Sequence, residues 1–193
     1  MTRFQPFELM ARAACIAGCL TTLTAEQKEP KLRRSTEFCN PADVVLVNQD
    51  GQKVRFKALL ESGDPVVLNF IYLNCTTICP TLSAGYATLQ TRLGAGSRKV
   101  HLISITIDPA RDTPEALKAY MQRFRAKPGW DCLTGTRADI DKAMHGMNTF
   151  IPDLSSMVPI TLIRPAGSAK WNRVFGLMSS SEFIAECRKA GIL

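Results

Sequence analysis

Val66-Val67-Leu68-Asn69-Phe70-Ile71-Tyr72-Leu73-Asn74-Cys75-Thr76-Thr77-Ile78-Cys79-Pro80 decides how this chain is read. From Val66 to Leu73 the run is almost continuously apolar, the pattern of a central parallel strand covered on both faces. Two thiols four positions apart follow at once, and then Pro80, which can open a helix without giving up a useful hydrogen bond. The stretch therefore reads as a core strand, a loop and a helix start, with a dithiol at the edge of the core. On this reading Cys79 sits at a helix N-terminus, where free amides and the positive end of the dipole favour thiolate over thiol. A thiolate is the better nucleophile and the better soft-metal ligand, so redox chemistry and copper binding are both open.

Buried cysteines also serve as small hydrophobes, but a pair flanking the turn after a core strand is seldom only packing. Three intervening residues are one more than a thioredoxin dithiol has. The wider loop lets the sulfurs join as a disulfide or splay around an ion. Zinc fits poorly, because no second Cys/His pair stands at finger spacing and the chain has only 2 histidines.

Working outward, 193 residues suffice for one domain with its own core plus an N-terminal leader. With 46% hydrophobic and 21% charged residues the composition is that of a globular protein. A formal charge of +7 favours acidic partners or anionic membrane surfaces. The basic residues are scattered, with Arg33-Arg34, Arg98-Lys99 and Arg188-Lys189 the only adjacent pairs, and no aromatic-rich basic motif accompanies them. Nucleic acid is therefore not expected as a partner.

Residues 1–25 read as a signal or lipoprotein leader or anchor: Arg3 supplies a short positive region and Leu9 to Leu23 is mostly apolar or small, interrupted by Arg12. Within it, Ile16-Ala17-Gly18-Cys19 resembles the bacterial lipoprotein signal, in which the cysteine is lipidated. The expected location is the bacterial cell envelope on its periplasmic side, soluble or tethered to the membrane through the N-terminus. No apolar stretch reaches the roughly 20 uncharged residues of a spanning helix.

Residues 26–43 are charged, lack a clear period and read as a tether; the folded domain is expected over 44–193. Val44 to Val47 and Lys53 to Phe56 flank Asp50-Gly51 as an N-terminal hairpin. After the core strand, a helix from Pro80 places Leu82, Tyr86, Leu89 and Leu93 on one face, and a strand over Val100 to Ile107 follows. Asp108-Pro109-Ala110-Arg111-Asp112-Thr113-Pro114 breaks that strand, with Thr113 capping the next helix and Pro114 starting it. A strand over Trp130 to Leu133, a helix over Ala138 to Phe150, strands over Ile160 to Ile163 and Trp171 to Phe175, and a helix over Ser180 to Lys189 complete the chain. This order is the α/β thioredoxin-like architecture, extended by the N-terminal hairpin. In it the dithiol loop lies at the carboxyl ends of the parallel strands, close to residues 153–159.

Two motifs in the right order now carry a resemblance. Val67-Leu68-Asn69-Phe70-Ile71-Tyr72 runs into Cys75-Thr76-Thr77-Ile78-Cys79-Pro80, and Ile103-Ser104-Ile105-Thr106-Ile107-Asp108-Pro109 runs into Arg111-Asp112-Thr113-Pro114. Over roughly residues 44–190 the chain resembles the Sco (SenC-type) proteins, thioredoxin-fold copper chaperones for the binuclear copper centre of cytochrome c oxidase. The resemblance implies that Cys75 and Cys79 bind copper or interconvert with a disulfide, and that a histidine from a distant loop completes the metal site.

That histidine is not in its place. Alignment on Pro159-Ile160-Thr161-Leu162 puts Met157 there, and a shifted gap would put Leu154 or Ser156 there instead. A thioether suits Cu(I) and serves Cu(II) poorly, so a Cys75, Cys79, Met157 site would favour the reduced ion; the alternative is that Met157 is an apolar loop residue. Asp108, at the carboxyl end of the neighbouring strand, is expected to point toward the dithiol and raise its electron density or accept a proton, or else to fix the turn before the helix. His145 falls to the side of a helix face carrying Met144 and Met147, and His101 opens a strand. Cys132 and Cys187 read as inert core thiols, and Cys39 falls in the tether with no assigned role.

Two functions compete. One is a copper-binding chaperone that delivers copper to the copper-binding subunit of cytochrome c oxidase or to another exported copper or thiol protein. The other is a thiol-disulfide oxidoreductase in which Cys75 or Cys79 attacks a disulfide of such a copper site and its partner resolves it. A peroxidase is set aside, because neither cysteine follows a Pro-x-x-x-Thr/Ser-x-x-Cys pattern.

Overall fold

The computed structural model describes residues 32–94 and 99–193. The expected leader, with Cys19, and the first part of the expected tether lie outside the described residues. The strands are β1 (Arg33–Phe38), β2 (Val45–Asn48), β3 (Lys53–Arg55), β4 (Val66–Ile71), β5 (His101–Thr106), β6 (Trp130–Thr134), β7 (Ile160–Arg164) and β8 (Lys170–Phe175). The helices are α1 (Phe56–Leu60), α2 (Ile78–Leu93), α3 (Pro114–Arg123), α4 (Arg137–Gly146) and α5 (Ser180–Lys189), with a 3-10 turn at Leu154–Ser156.

All eight strands form one sheet in the order β1-β8-β7-β4-β5-β6-β2-β3. β4, β5 and β6 run parallel, and β7 lies antiparallel to β4. Every residue of β4 is buried, as its unbroken apolar run requires of a strand covered on both faces. Val67, Ile71 and Leu102 face Tyr86 and Leu89 of α2, Leu117 and Tyr120 of α3, and Phe183 and Cys187 of α5. Val66, Leu68, Phe70, Ile103 and Ile105 face Phe56 and Leu60 of α1 and Ile140 and Met144 of α4. The fold is thus three layers, and the eight-strand α/β sheet with its β2–β3 hairpin bears out the expected architecture.

Local signals account for several boundaries. Thr113 Oγ1 accepts the N–H of Ala116 at 3.3 Å and Pro114 begins α3, as read from the sequence. Ser179 and Glu182 form a reciprocal capping box at the start of α5. In the hairpin, Asn48 Oδ1 accepts the N–H groups of Asp50 and Gln52, and Gly51 takes the positive φ of 74° that the turn needs. The helix expected over Ala138 to Phe150 is shorter at its end, with Met147 as its C-cap.

The tether expectation is corrected at residues 33–38. They form β1, which pairs antiparallel with β8 from Arg33 opposite Phe175 to Phe38 opposite Lys170. Its apolar signal is weak because it is an edge strand held by charge. Arg34 clasps Glu186 of α5 through Nε at 3.1 Å and Nη2 at 2.9 Å, and the buried Arg173 of β8 pairs with Glu37. Cys39 also belongs to the folded body, half-buried against the α4 layer with its thiol directed at the carbonyl of Met147.

Candidate metal centre

The dithiol stands where β4 leaves the sheet. The parallel pairing with β5 persists through the N–H of Ile107, which donates to the carbonyl of Ile71 at 2.8 Å. The chain then turns, with the N–H of Cys75 donating to the carbonyl of Tyr72 at 3.1 Å, and α2 begins at Ile78. Pro80 is therefore in the first turn but two residues inside it, a position equally free of intrahelical N–H demand.

Thr77, the residue before α2, offers no side-chain cap to the helix amides. Cys75 Sγ takes that part and accepts the N–H of Cys79 at 3.2 Å. Burial pushes the Cys75 thiol up, but the amide of Cys79, its thiol, and the amides of Thr77 and Ile78 together bring it below the ordinary thiol value. Cys79 goes the other way. Its side chain projects into the core at 0% exposure, and burial drives its pKa far up against a single helpful hydrogen bond from the Tyr72 amide. The negative charges of Cys75 and Asp112 push it further in the same direction.

The expectation that Cys79 is the acidified thiol is thereby corrected: the helix amides lower Cys75 instead, and burial raises Cys79. A helix N-terminus stabilises charge on the group its amides point at, in front of the first turn. A residue inside that turn, facing the sheet, receives desolvation instead. Both cysteines are free thiols, with Cys75 at 7% exposure the one nearer solvent.

The loop before β7 comes to the same end of the sheet. The β4–β7 ladder ends with Asn69 opposite Thr161, and Met157 stands four residues before Thr161 in the segment leading into β7. Met157 caps the 3-10 turn, which is held by Asp153 accepting the N–H of Ser156 at 3.1 Å. The thioether side chain is half-buried and packs against both halves of the core, one of which contains Cys75 and Cys79. Leu154 also packs on the core, and Ser156 hydrogen-bonds within the turn to Asp153.

Neither histidine joins the dithiol. His101 opens β5 at the opposite end of the strands, with Nε2 3.2 Å from Asp64 Oδ2, and His145 stacks on Phe150 with ring centroids 4.1 Å apart. Among the described residues no three His, Cys, Asp or Glu side chains converge as a metal-binding group. Cys132 and Cys187 are buried in the core, where desolvation pushes Cys187 up to about 12 and Cys132 strongly upward.

The acidic residue at the site is also not the expected one. Asp108 turns its carboxylate to Arg111, with Oδ2 accepting from Nη1 at 3.1 Å, and so serves the turn before α3. The carboxylate that reaches the dithiol loop is Asp112, whose Oδ2 accepts the N–H of Leu73 at 3.2 Å and the hydroxyl of Thr106. Both aspartates lie in one motif, and the only available sequence sign was that Asp112 directly precedes the helix cap.

Comparison with known proteins places these residues in context. A family model described as SCO1/SenC matches residues 40–155. A SCO1 protein homologue of Bacillus subtilis is 38% identical over 89 residues, 46% of this chain and 45% of that protein. A putative copper-binding protein of Stutzerimonas stutzeri is 32% identical over 135 residues, 65% of this chain and 64% of that protein. The match thus spans less than two thirds of the length of either relative. Among solved structures, ScoI of Bradyrhizobium japonicum with copper bound superimposes with a TM-score of 0.61 at 25% identity, over 80% of this chain and 99% of that one.

Proposed function

Because this chain belongs to the SCO1/SenC family, we propose that it is a copper-binding chaperone of the cell envelope that carries Cu(I) on Cys75 and Cys79 and passes it to the copper-binding subunit of cytochrome c oxidase. The observation that carries the reading is the dithiol geometry. Cys75 Sγ accepts the N–H of Cys79 at the start of α2, beside a second sulfur one turn away, a soft donor pair where β4 leaves the sheet. Cu(I) is the cargo. Its binding displaces the Cys79 proton, and its release to another pair of sulfur ligands returns it.

Met157 is the third donor on this reading. Its side chain packs against the half of the core that contains both sulfurs, and a thioether would complete a soft, three-coordinate set selective for the reduced ion. Asp108, bonded to Arg111, supports the turn rather than the metal. The leader would tether the protein on the periplasmic side; no helix of the described residues is long and apolar enough to cross a membrane.

A second reading rests on the opposite titration of the two thiols. The Cys75 thiol, lowered by the helix amides, loses its proton more readily and can attack a disulfide of the oxidase copper site, and the buried Cys79 thiol can then give up its proton and resolve the mixed disulfide. The partner gains two thiols, Cys75–Cys79 becomes a disulfide, and a thiol reductant must restore it.

The test is an anaerobic Cu(I) titration of the reduced protein against a competing chelator. We expect one tightly bound ion, lost in Cys75→Ser, and an affinity at least about ten-fold lower in Met157→Ala, or about 1.4 kcal/mol. Unchanged affinity in Met157→Ala would remove it as a ligand. Absence of binding above a Cys75→Ser, Cys79→Ser background would leave the oxidoreductase.

A further inference from the structure

Building on the dithiol as the copper-carrying site, we propose that Asp112 is its positioning residue: the carboxylate holds the Tyr72–Cys75 turn in the shape that aims Cys75 Sγ at the amides of α2. Asp112 is 2% exposed and lies in the turn before α3, far from the dithiol in sequence. Two segments converge on its carboxylate. Leu73 at the exit of β4 donates its N–H to Oδ2, Thr106 at the end of β5 donates its hydroxyl to the same oxygen, and Thr106 Oγ1 in turn accepts the N–H of Asp108 at 3.0 Å. The carboxylate is itself anchored, since the Asp112 N–H donates to the carbonyl of Asp108 at 3.0 Å and the next residue caps α3.

Leu73 is the first residue inside the turn closed by Cys75 N–H to Tyr72 C=O. Its amide lies beyond the last β4–β5 pair, at Ile71 and Thr106, so the ladder supplies it no carbonyl. A buried N–H without an acceptor is costly, and a charge-assisted acceptor is roughly twice as strong as a neutral one. Asp112 thus sets the orientation of the Tyr72–Leu73 peptide, and Cys75 is two residues further along the same short turn. Without that hold, the peptide is free to rotate and the sulfur leaves the amides that stabilise it. Asp112 touches neither sulfur through a hydrogen bond in the reduced state; it acts through the backbone.

Three readouts test this. In the reduced wild-type protein, hydrogen exchange should find the Leu73 amide protected; exchange at the rate of exposed loop amides overturns the proposal. In Asp112→Asn an oxygen acceptor survives, so Cu(I) affinity should stay within about three-fold of wild type, while Asp112→Ala should lose about 10–100-fold, the range for residues that orient metal ligands. Equal losses in the two variants, or an Ala variant that binds like wild type, overturn it. The third readout needs no metal. In the equilibrium where the dithiol gives two electrons and two protons to glutathione disulfide, yielding the Cys75–Cys79 disulfide and two glutathiones, Asp112→Ala should shift the constant at least ten-fold, about 30 mV, and Asp112→Asn less than three-fold. If wild type binds no Cu(I), the chaperone reading fails, while amide exchange and the thiol equilibrium still decide the role of Asp112. If Asp112→Ala does not fold, protection of Leu73 and the near-wild-type equilibrium of Asp112→Asn must both hold, and the absence of either overturns the proposal.

Discussion

Cys75 and Cys79 carry the same functional group one helical turn apart and titrate in opposite directions, because one receives amides and the other receives a hydrophobic wall. The difference has a consequence for stability. Cys79, Cys132 and Cys187 hold their protons in the fold well above the unfolded thiol value of about 8.5. Above that pH the unfolded chain gives up these protons while the folded one keeps them, so stability is full below it and falls as pH rises toward the folded values. The loss approaches about 1.4 kcal/mol per pH unit for each such thiol. Cys75 has the opposite sign: its contribution is present above the unfolded value and is lost as pH falls through its lowered folded value. Anaerobic urea unfolding of the reduced protein should therefore give a lower free energy at pH 10 than at pH 8, with a shallower slope in Cys187→Ala. An unchanged free energy over that interval would contradict the burial of these thiols. At this scale the residue types were legible and their directions were not. Asp108 and Asp112 share a motif, and only the rotation of the turn decides that one meets Arg111 and the other meets Leu73.

Among the elements, helix ends are where sequence and tertiary demand diverge most. Thr113-Pro114 announced α3, but its other end carries Arg125 at a φ of 51°, a left-handed position that costs a side chain about 1–2 kcal/mol. The N–H of Ala126 still closes back onto the carbonyl of Met121 at 3.2 Å, so the cap geometry is that of a glycine-terminated helix without the glycine. Arg125→Gly should stabilise the protein by about 1 kcal/mol in urea unfolding, the larger flexibility of glycine in the unfolded chain trimming the gain. At the end of α4 the reverse holds. A Cβ on Gly146 would stand 2.5 Å from the carbonyl oxygen of Asn40 and 2.9 Å from the amide of Ala42. This close approach lets the Asn40 N–H bond to the Gly146 carbonyl at 2.9 Å and seats the segment after β1 on the helix. Gly146→Ala should cost about 1–3 kcal/mol, read as a lower urea midpoint at unchanged m. The helices themselves were readable because apolar residues recur every three or four positions. β1 was not, since its residues face solvent, charge and a neighbouring strand in turn, and no period marks such an edge.

For the whole molecule, β1 closes one margin of the sheet, joined to the α5 layer by Arg34–Glu186 and to β8 beside it by Arg173–Glu37. A chain beginning at residue 40 would leave the buried Arg173 without Glu37 and Glu186 without Arg34, and would make β8, with Trp171 and Val174, a new edge. We expect it to be on the order of 3 kcal/mol less stable than a chain beginning at residue 32 and to self-associate on warming; equal melting of the two would remove β1 from the folded unit. The sequence by itself determined the alternation of strands and helices, the parallel core strand and the Cys75/Cys79 dithiol at its end, because hydrophobic period, caps and turn residues act within a few positions. Only the tertiary structure decided which thiol the helix amides lower, which aspartate grips the loop, and that residues 33–38 belong to the sheet. Those outcomes depend on desolvation and on partners 30 or more residues away, such as Leu73 and Asp112 at a separation of 39 or Arg34 and Glu186 at 152, and a local pattern carries no record of either.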